Sequence, residues 1–246
     1  MVFSKILKGL LLLLGGIFIV FQGMTFETEG AAISAIVLVL LTFVYLKWTD
    51  KKNKYFLWFL IIYTIAQVVS FGAWFGPEVY EGDVDYFYYL TNILFIIAYS
   101  VLSLKMLIQL NFKQVFSQLS VPIIILIILD VFCVSLVTAT AVSTLSVYEY
   151  VLEYSYNAIV MVLLSIALIN YMYRNDNKSM LLLLGSICIV FSEIIQLAYF
   201  YVFNDNILGF VYSFLLVVAF VFFYMQSQDD FTGPEPEYVE EQLEEA

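Results

Sequence analysis

Eight apolar runs follow one another along this chain. Each is roughly 17–24 residues long, the length a helix needs to cross ~30 Å of hydrocarbon. They fall at about 4–22, 31–47, 55–75, 86–109, 119–140, 151–173, 179–203 and 207–226. The runs are continuous and do not alternate, so they read as helices and not as strands of a closed barrel, the other backbone that satisfies its own hydrogen bonds in lipid. Composition agrees. Of 246 residues, 63% are hydrophobic and 13% charged, with mean hydropathy +0.95, too little charge to cover a soluble domain. The expected fold is an all-α polytopic transmembrane bundle of about eight helices over 1–226, followed by an acidic tail over 227–246.

The charges divide the chain in the same way. The ten basic residues are Lys5, Lys8, Lys47, Lys51, Lys52, Lys54, Lys105, Lys113, Arg174 and Lys178. All fall in the N-terminus, at the second, fourth and sixth connections, or at helix ends beside them. The other connections carry acids: Glu27 and Glu29, then Glu78, Glu81, Asp83 and Asp85, then Glu149 and Glu153, then Asp205. The positive-inside rule therefore puts both termini in the cytoplasm and the chain in a plasma or inner membrane. The formal charge of −11 is concentrated at one end, since eight acids lie in the last eighteen residues, "DDFTGPEPEYVEEQLEEA". Such a segment reads as a solvated tail, or as a docking segment for a cytoplasmic protein partner.

Several chemistries are excluded early. There is no histidine, which removes Ser-His-Asp catalysis, histidine zinc sites and histidine proton relays. No Gly-rich phosphate loop is present, and no basic groove for nucleic acid. Cys133 and Cys188 lack metal or redox spacing and read as packing residues. No metal or organic cofactor is expected. The basic start and apolar stretch of "MVFSKILKGLLLLLGGIFIV" lack a clear cleavage site and read as an uncleaved first helix.

What remains is polar residues inside the spans. Glu193 lies near the middle of the seventh run in "IVFSEIIQLAYF", with Ser186 and Gln196 on its face. Asp130 is equally deep in "IIILIILDVFCV" of the fifth. The third run places Tyr63, Gln67, Ser70 and Trp74 in one stripe, and the fourth does so with Tyr88, Asn92, Tyr99 and Ser103. The sixth offers Glu153, Tyr154 and Asn157 near its outer end. An ionised carboxylate at mid-bilayer costs about 2.5–3.5 kcal/mol on insertion scales, so these stripes are expected to face one another around a hydrated interior. Glu193 and Asp130 then form the candidate acid–base pair. Gln67, Asn92 and Asn157 are either site ligands or interhelical glue. Lys105 is expected to snorkel to the interface, and Trp58, Trp74, Tyr86, Tyr88, Tyr148 and Tyr150 to form aromatic belts.

The seventh run, "LLLLGSICIVFSEIIQLAYF", and the end of the eighth, "FVFFYMQSQ", resemble the YhhN family of lysoplasmalogenase-like membrane proteins. Gly185, Phe191, Ser192 and Glu193 correspond to that family's Gly, Phe and Ser-Asp pattern, with Glu in place of Asp. Tyr224 and Gln226 correspond to its Tyr and Gln. Tyr99 stands where the family has histidine, and Gln67 where it has aspartate. The resemblance implies hydrolysis of the vinyl-ether bond of a single-chain phospholipid taken from the membrane, without a cofactor. In that reading Glu193 and Asp130 are catalytic, and Gln67, Asn92, Tyr99, Ser192, Gln196 and Asn157 line the substrate site. The altered positions suit an alternative, a non-catalytic lipid-binding or scaffold protein of the same fold. A small transporter is the third reading, disfavoured because only Pro122 interrupts a span and no internal repeat is visible.

Overall fold

The computed structural model describes residues 2–49, 52–77, 83–140, 145–202 and 205–229. Lys51, Glu78, Glu81 and the tail from Asp230 onward lie outside them. The described chain forms eight helices and no strand: α1 (Val2–Gly23), α2 (Glu27–Trp48), α3 (Lys54–Ala73), α4 (Tyr86–Ile108), α5 (Phe112–Ala139), α6 (Val147–Arg174), α7 (Asn177–Tyr201) and α8 (Asn206–Gln226). All eight are long and apolar enough to span a membrane. The protein is a multi-pass helical bundle.

Local chemistry explains where the helices extend past their apolar runs. Asn111 caps α5, accepting from Gln114 N, so α5 begins at Phe112, seven residues before the apolar run. The extension is not straight. Leu119 leaves helical geometry (φ −121°, ψ 22°) just before Pro122, whose ring cannot donate to the preceding turn. Ser146 and Glu149 form a capping box that starts α6 at Val147, and Asp176 with Ser179 does the same for α7.

The packing order gives the architecture. α1 packs on α2, α2 on α3, α3 on α4, α4 on α6, α6 on α7, α7 on α8, and α8 back on α1. Seven helices thus close a ring, and α5 stands outside it against α6. The outer face of α5 is apolar and exposed, including Ile124, Ile128 and Phe132. Inside the ring an aromatic core joins α3, α4, α6 and α8. Phe59 stacks on Phe220 with centroids 6.1 Å apart, and Tyr63 meets Tyr99 edge-on at 5.8 Å. Such pairs contribute about 0.5–1.5 kcal/mol each beyond burial, useful where lipid is as apolar as the side chains it would replace.

Small residues set the closest approaches. A Cβ on Gly185 of α7 would stand 2.5 Å from Phe223 Cε1 of α8, and Phe223 is fully buried. Gly185→Ala is therefore expected to lower stability by about 1–3 kcal/mol through overpacking. Thermal unfolding in detergent checks this, with a midpoint below wild type as the expected result.

Lys105 corrects an expectation. It does not snorkel: only 2% of its surface is exposed, its Nζ donates to Gln226 Oε1 at 3.2 Å, and it lies over the Phe56 ring. Sitting on the inward face of α4, it finds an amide within reach and a π face beneath it.

Candidate functional site

The ring encloses a polar cavity of about 100 Å³ at the end of the bundle where the α1–α2, α3–α4 and α7–α8 connections lie. That is space for several waters. Every ring helix contributes a wall: Phe18 and Gln22 from α1, Glu27 and Ala31 from α2, Phe95 from α4, Tyr156 from α6, Tyr212 and Leu216 from α8. From α3 come Tyr63, Gln67, Ser70 and Trp74, the whole stripe at four-, three- and four-residue steps that a helix aligns on one face. From α7 come Glu193, Gln196 and Phe200. No lysine or arginine is among the described residues of the lining.

Glu193 is held by tyrosines. Tyr99 Oη donates to Glu193 Oε1 at 2.5 Å, and the Tyr156 hydroxyl makes a second hydrogen bond to the carboxylate. Tyr63 is hydrogen-bonded to Tyr99 in turn. Two helices thereby fix the carboxylate, α4 and α6 each presenting a tyrosine to α7, and α3 supports the first of them through Tyr63. The arrangement is rigid because the rings also pack on one another, Tyr99 against Tyr156 at 6.1 Å. A fixed carboxyl group facing a polar cavity with room for water can give a proton to a bound molecule and take one from water.

A second carboxylate shares the cavity, and it is Glu27. It opens α2, where the helix N-terminus favours an anion, and accepts from Tyr199 Oη at 2.7 Å. Sequence reasoning treated Glu27 only as a loop charge. Its signal was present in the small-residue face that follows, Ala31 and Ser34 lying four and seven residues on. Gln22 completes this side. It is 6% exposed, packs on Gly30, and its Oε1 has no hydrogen-bond partner.

Asp130 is the main correction. It lies on α5, outside the ring, and is absent from the cavity wall. Ser165 Oγ of α6 sits 2.9 and 2.8 Å from its two oxygens, which makes it an interhelical clamp. Its pairing with Glu193 fails because α6 stands between α5 and the interior.

Three further candidates also lie elsewhere. Ser192 is buried and donates to Tyr212 O at 2.8 Å, tying α7 to α8. Asn92 bonds back to Tyr88 O within α4. Asn157 donates to Thr138 Oγ1 and Glu153 Oε1, at 3.3 Å each, in a polar knot with Tyr88, which donates to Glu153 Oε2 at 3.1 Å. Tyr88 is thus half-buried in that knot and not a belt residue. Of the expected site residues, Glu193, Gln67 and Gln196 line one cavity, and Tyr99 stands behind them, hydrogen-bonded to Glu193.

Cys133 and Cys188 are free thiols on separate helices. Among the described residues no three histidine, cysteine or acidic side chains gather to hold a metal. Searches of family models, curated proteins and solved structures return no match to the chain.

Proposed function

We propose that the chain is a membrane-embedded hydrolase acting on the vinyl-ether bond of a single-chain, lysoplasmalogen-type phospholipid, as the resemblance to the YhhN family implies. Both termini lie in the cytoplasm in this reading, so the cavity opens at the extracytoplasmic side of a plasma or inner membrane. The observation that carries the proposal is the Glu193 carboxylate, fixed by Tyr99 at the wall of a polar cavity within the helical bundle.

The chemistry can be written out. The Glu193 carboxyl group protonates the vinyl-ether carbon remote from oxygen, and the electron pair of the double bond forms the new C–H bond. An oxocarbenium ion results. A water from the cavity adds to its carbon and gives its proton to the Glu193 carboxylate. The hemiacetal then collapses to a fatty aldehyde and the glycerophospho alcohol. Tyr99 and Tyr156 hold the carboxyl group in orientation, and in place of the family's histidine Tyr99 does so as a hydrogen-bond donor. Glu27, Gln67 and Gln196 face the same space, where they orient water and the head group. Glu27 takes the role first assigned to Asp130.

Hydrolysis in D2O tests the proposal. The expected product is an aldehyde carrying one deuterium on the carbon next to the carbonyl, the mark of protonation at that carbon. Absence of aldehyde from folded protein in lipid discs would sink the hydrolase reading in favour of a non-catalytic lipid-binding protein. Asp130→Asn separates the clamp from the chemistry. It is expected to leave the rate within about twofold, because a single interhelical hydrogen bond in a membrane averages about 0.6 kcal/mol and reaches no substrate. Loss of the rate in that variant, with the fold intact, would return Asp130 to the site.

A further inference from the structure

Against the polar cavity lies a second one of a different kind. It occupies about 210 Å³ between α1, α2 and α8. Its walls are almost wholly apolar, with Val37, Leu38 and Leu41 of α2 facing Val217 and Val221 of α8. Phe18 and Leu216 line both cavities, so the apolar slot and the Glu193 cavity meet across a shared wall. The opposite end is marked by Lys8 and Tyr224, the Lys8 ammonium standing 5.1 Å from the ring centroid.

We propose that this slot seats the hydrocarbon chain of the amphiphile whose polar end occupies the Glu193 cavity, and that its length sets the chains accepted. The inference rests on the reading of that cavity as a lipid site, and three observations favour one chain as the occupant. The slot and the polar chamber share the Phe18 and Leu216 wall, so a molecule reaching from one into the other must be polar at one end and apolar at the other. It is apolar, so water does not fill it. It is also too narrow for another helix, which needs about 10–12 Å, because α1 remains packed on both α2 and α8. At Gly15 a Cβ would come within 3.1 Å of Val217 Cγ1, marking where α1 and α8 close over the slot.

The dimension follows from the helices that line it. Phe18 and Lys8 are ten positions apart on α1, which is about 15 Å of helix. At roughly 1.2 Å per bond of extended chain, as in an extended backbone, that distance takes about a dozen methylenes. Longer chains must bend at Lys8 or pass out between α1 and a neighbour.

The test uses the full chain in phosphatidylcholine discs, with probes that carry no vinyl ether and so are not consumed by turnover. Single-chain lysophosphatidylcholines of hexyl and dodecyl length, each with a diazirine at the chain terminus, are photolysed and the labelled residues mapped. The hexyl probe is expected to label near Leu38 and Val217, and the dodecyl probe near Val44 and Met225. Leu41→Trp, which fills only the inner half, is expected to cut dodecyl labelling about tenfold, equivalent to about 1.4 kcal/mol, and to spare the hexyl probe. Val37→Trp, nearer the junction, is expected to cut both. A misfolded Leu41→Trp protein would lose both probes, so the spared hexyl signal is its own control. Labelling on the exposed face of α5, at Ile124, Ile128 and Phe132, whatever the chain length, would overturn the proposal. Slot labelling by a wild-type protein that releases no aldehyde would uphold the chain site and end the hydrolase reading alone.

Discussion

Glu193→Gln is expected to abolish aldehyde release from a lysoplasmalogen, lowering kcat by about 10²–10⁴-fold, the usual contribution of a positioned acid–base group. The amide keeps the size of the side chain and can still accept from Tyr99 and Tyr156. It cannot give up and regain a proton in the cycle. The fold should survive, because the ring packing around Tyr63, Tyr99 and Tyr156 does not depend on the charge. A variant that folds, binds the chain probe and keeps its rate would remove Glu193 from the chemistry. Comparison with Tyr99→Phe refines the result. That change removes the 2.5 Å hydrogen bond and leaves the carboxyl group, so a partial loss of rate is expected where Glu193→Gln gives a near-complete one.

Gly209→Ala is expected to destabilise the bundle by about 1–3 kcal/mol and to lower activity with it. A Cβ at this position would stand 2.4 Å from the backbone oxygen of Gln22, near the C-terminal end of α1. Backbone cannot swing aside as a side-chain tip can, so α8 and α1 must part at the wall of the cavity. Gln22 would move with α1, and with it one wall of the site. Gly16→Ala provides the contrast. Nothing lies within 4 Å of its added Cβ, and alanine is the better helix former by roughly 0.5–1 kcal/mol. Thermal midpoints of the two variants should therefore move in opposite directions. A common drop would mean that helix approach at Gly209 is not the cause.

The number of helices and their class could be read from the chain because length and hydropathy alone decide them in lipid. The α3 stripe could also be read, since Tyr63, Gln67, Ser70 and Trp74 follow the helical period and all reach the cavity. Periodicity gives the polar face of one helix but not which helices enclose a common space. Asp130 shows the gap: its depth and isolation equal those of Glu193, yet α5 is left outside the ring. Glu27 shows the converse, an acid that topology counts as a loop charge and that folding turns inward at the first residue of α2. Lys105 was hidden for a related reason, since Gln226, its partner, is 121 residues away. The caps at Asn111 and Ser146 were in plain view, but hydropathy windows do not register them.

The most direct test of the account is single-turnover aldehyde release by wild-type protein reconstituted in lipid discs, with a lysoplasmalogen of decyl or dodecyl chain beside empty discs. The account predicts a burst of aldehyde proportional to protein, absent from empty discs and from Glu193→Gln. Protein that is folded and takes the chain probe into its slot but forms no aldehyde would contradict it, leaving Glu193 as a polar anchor for a bound lipid.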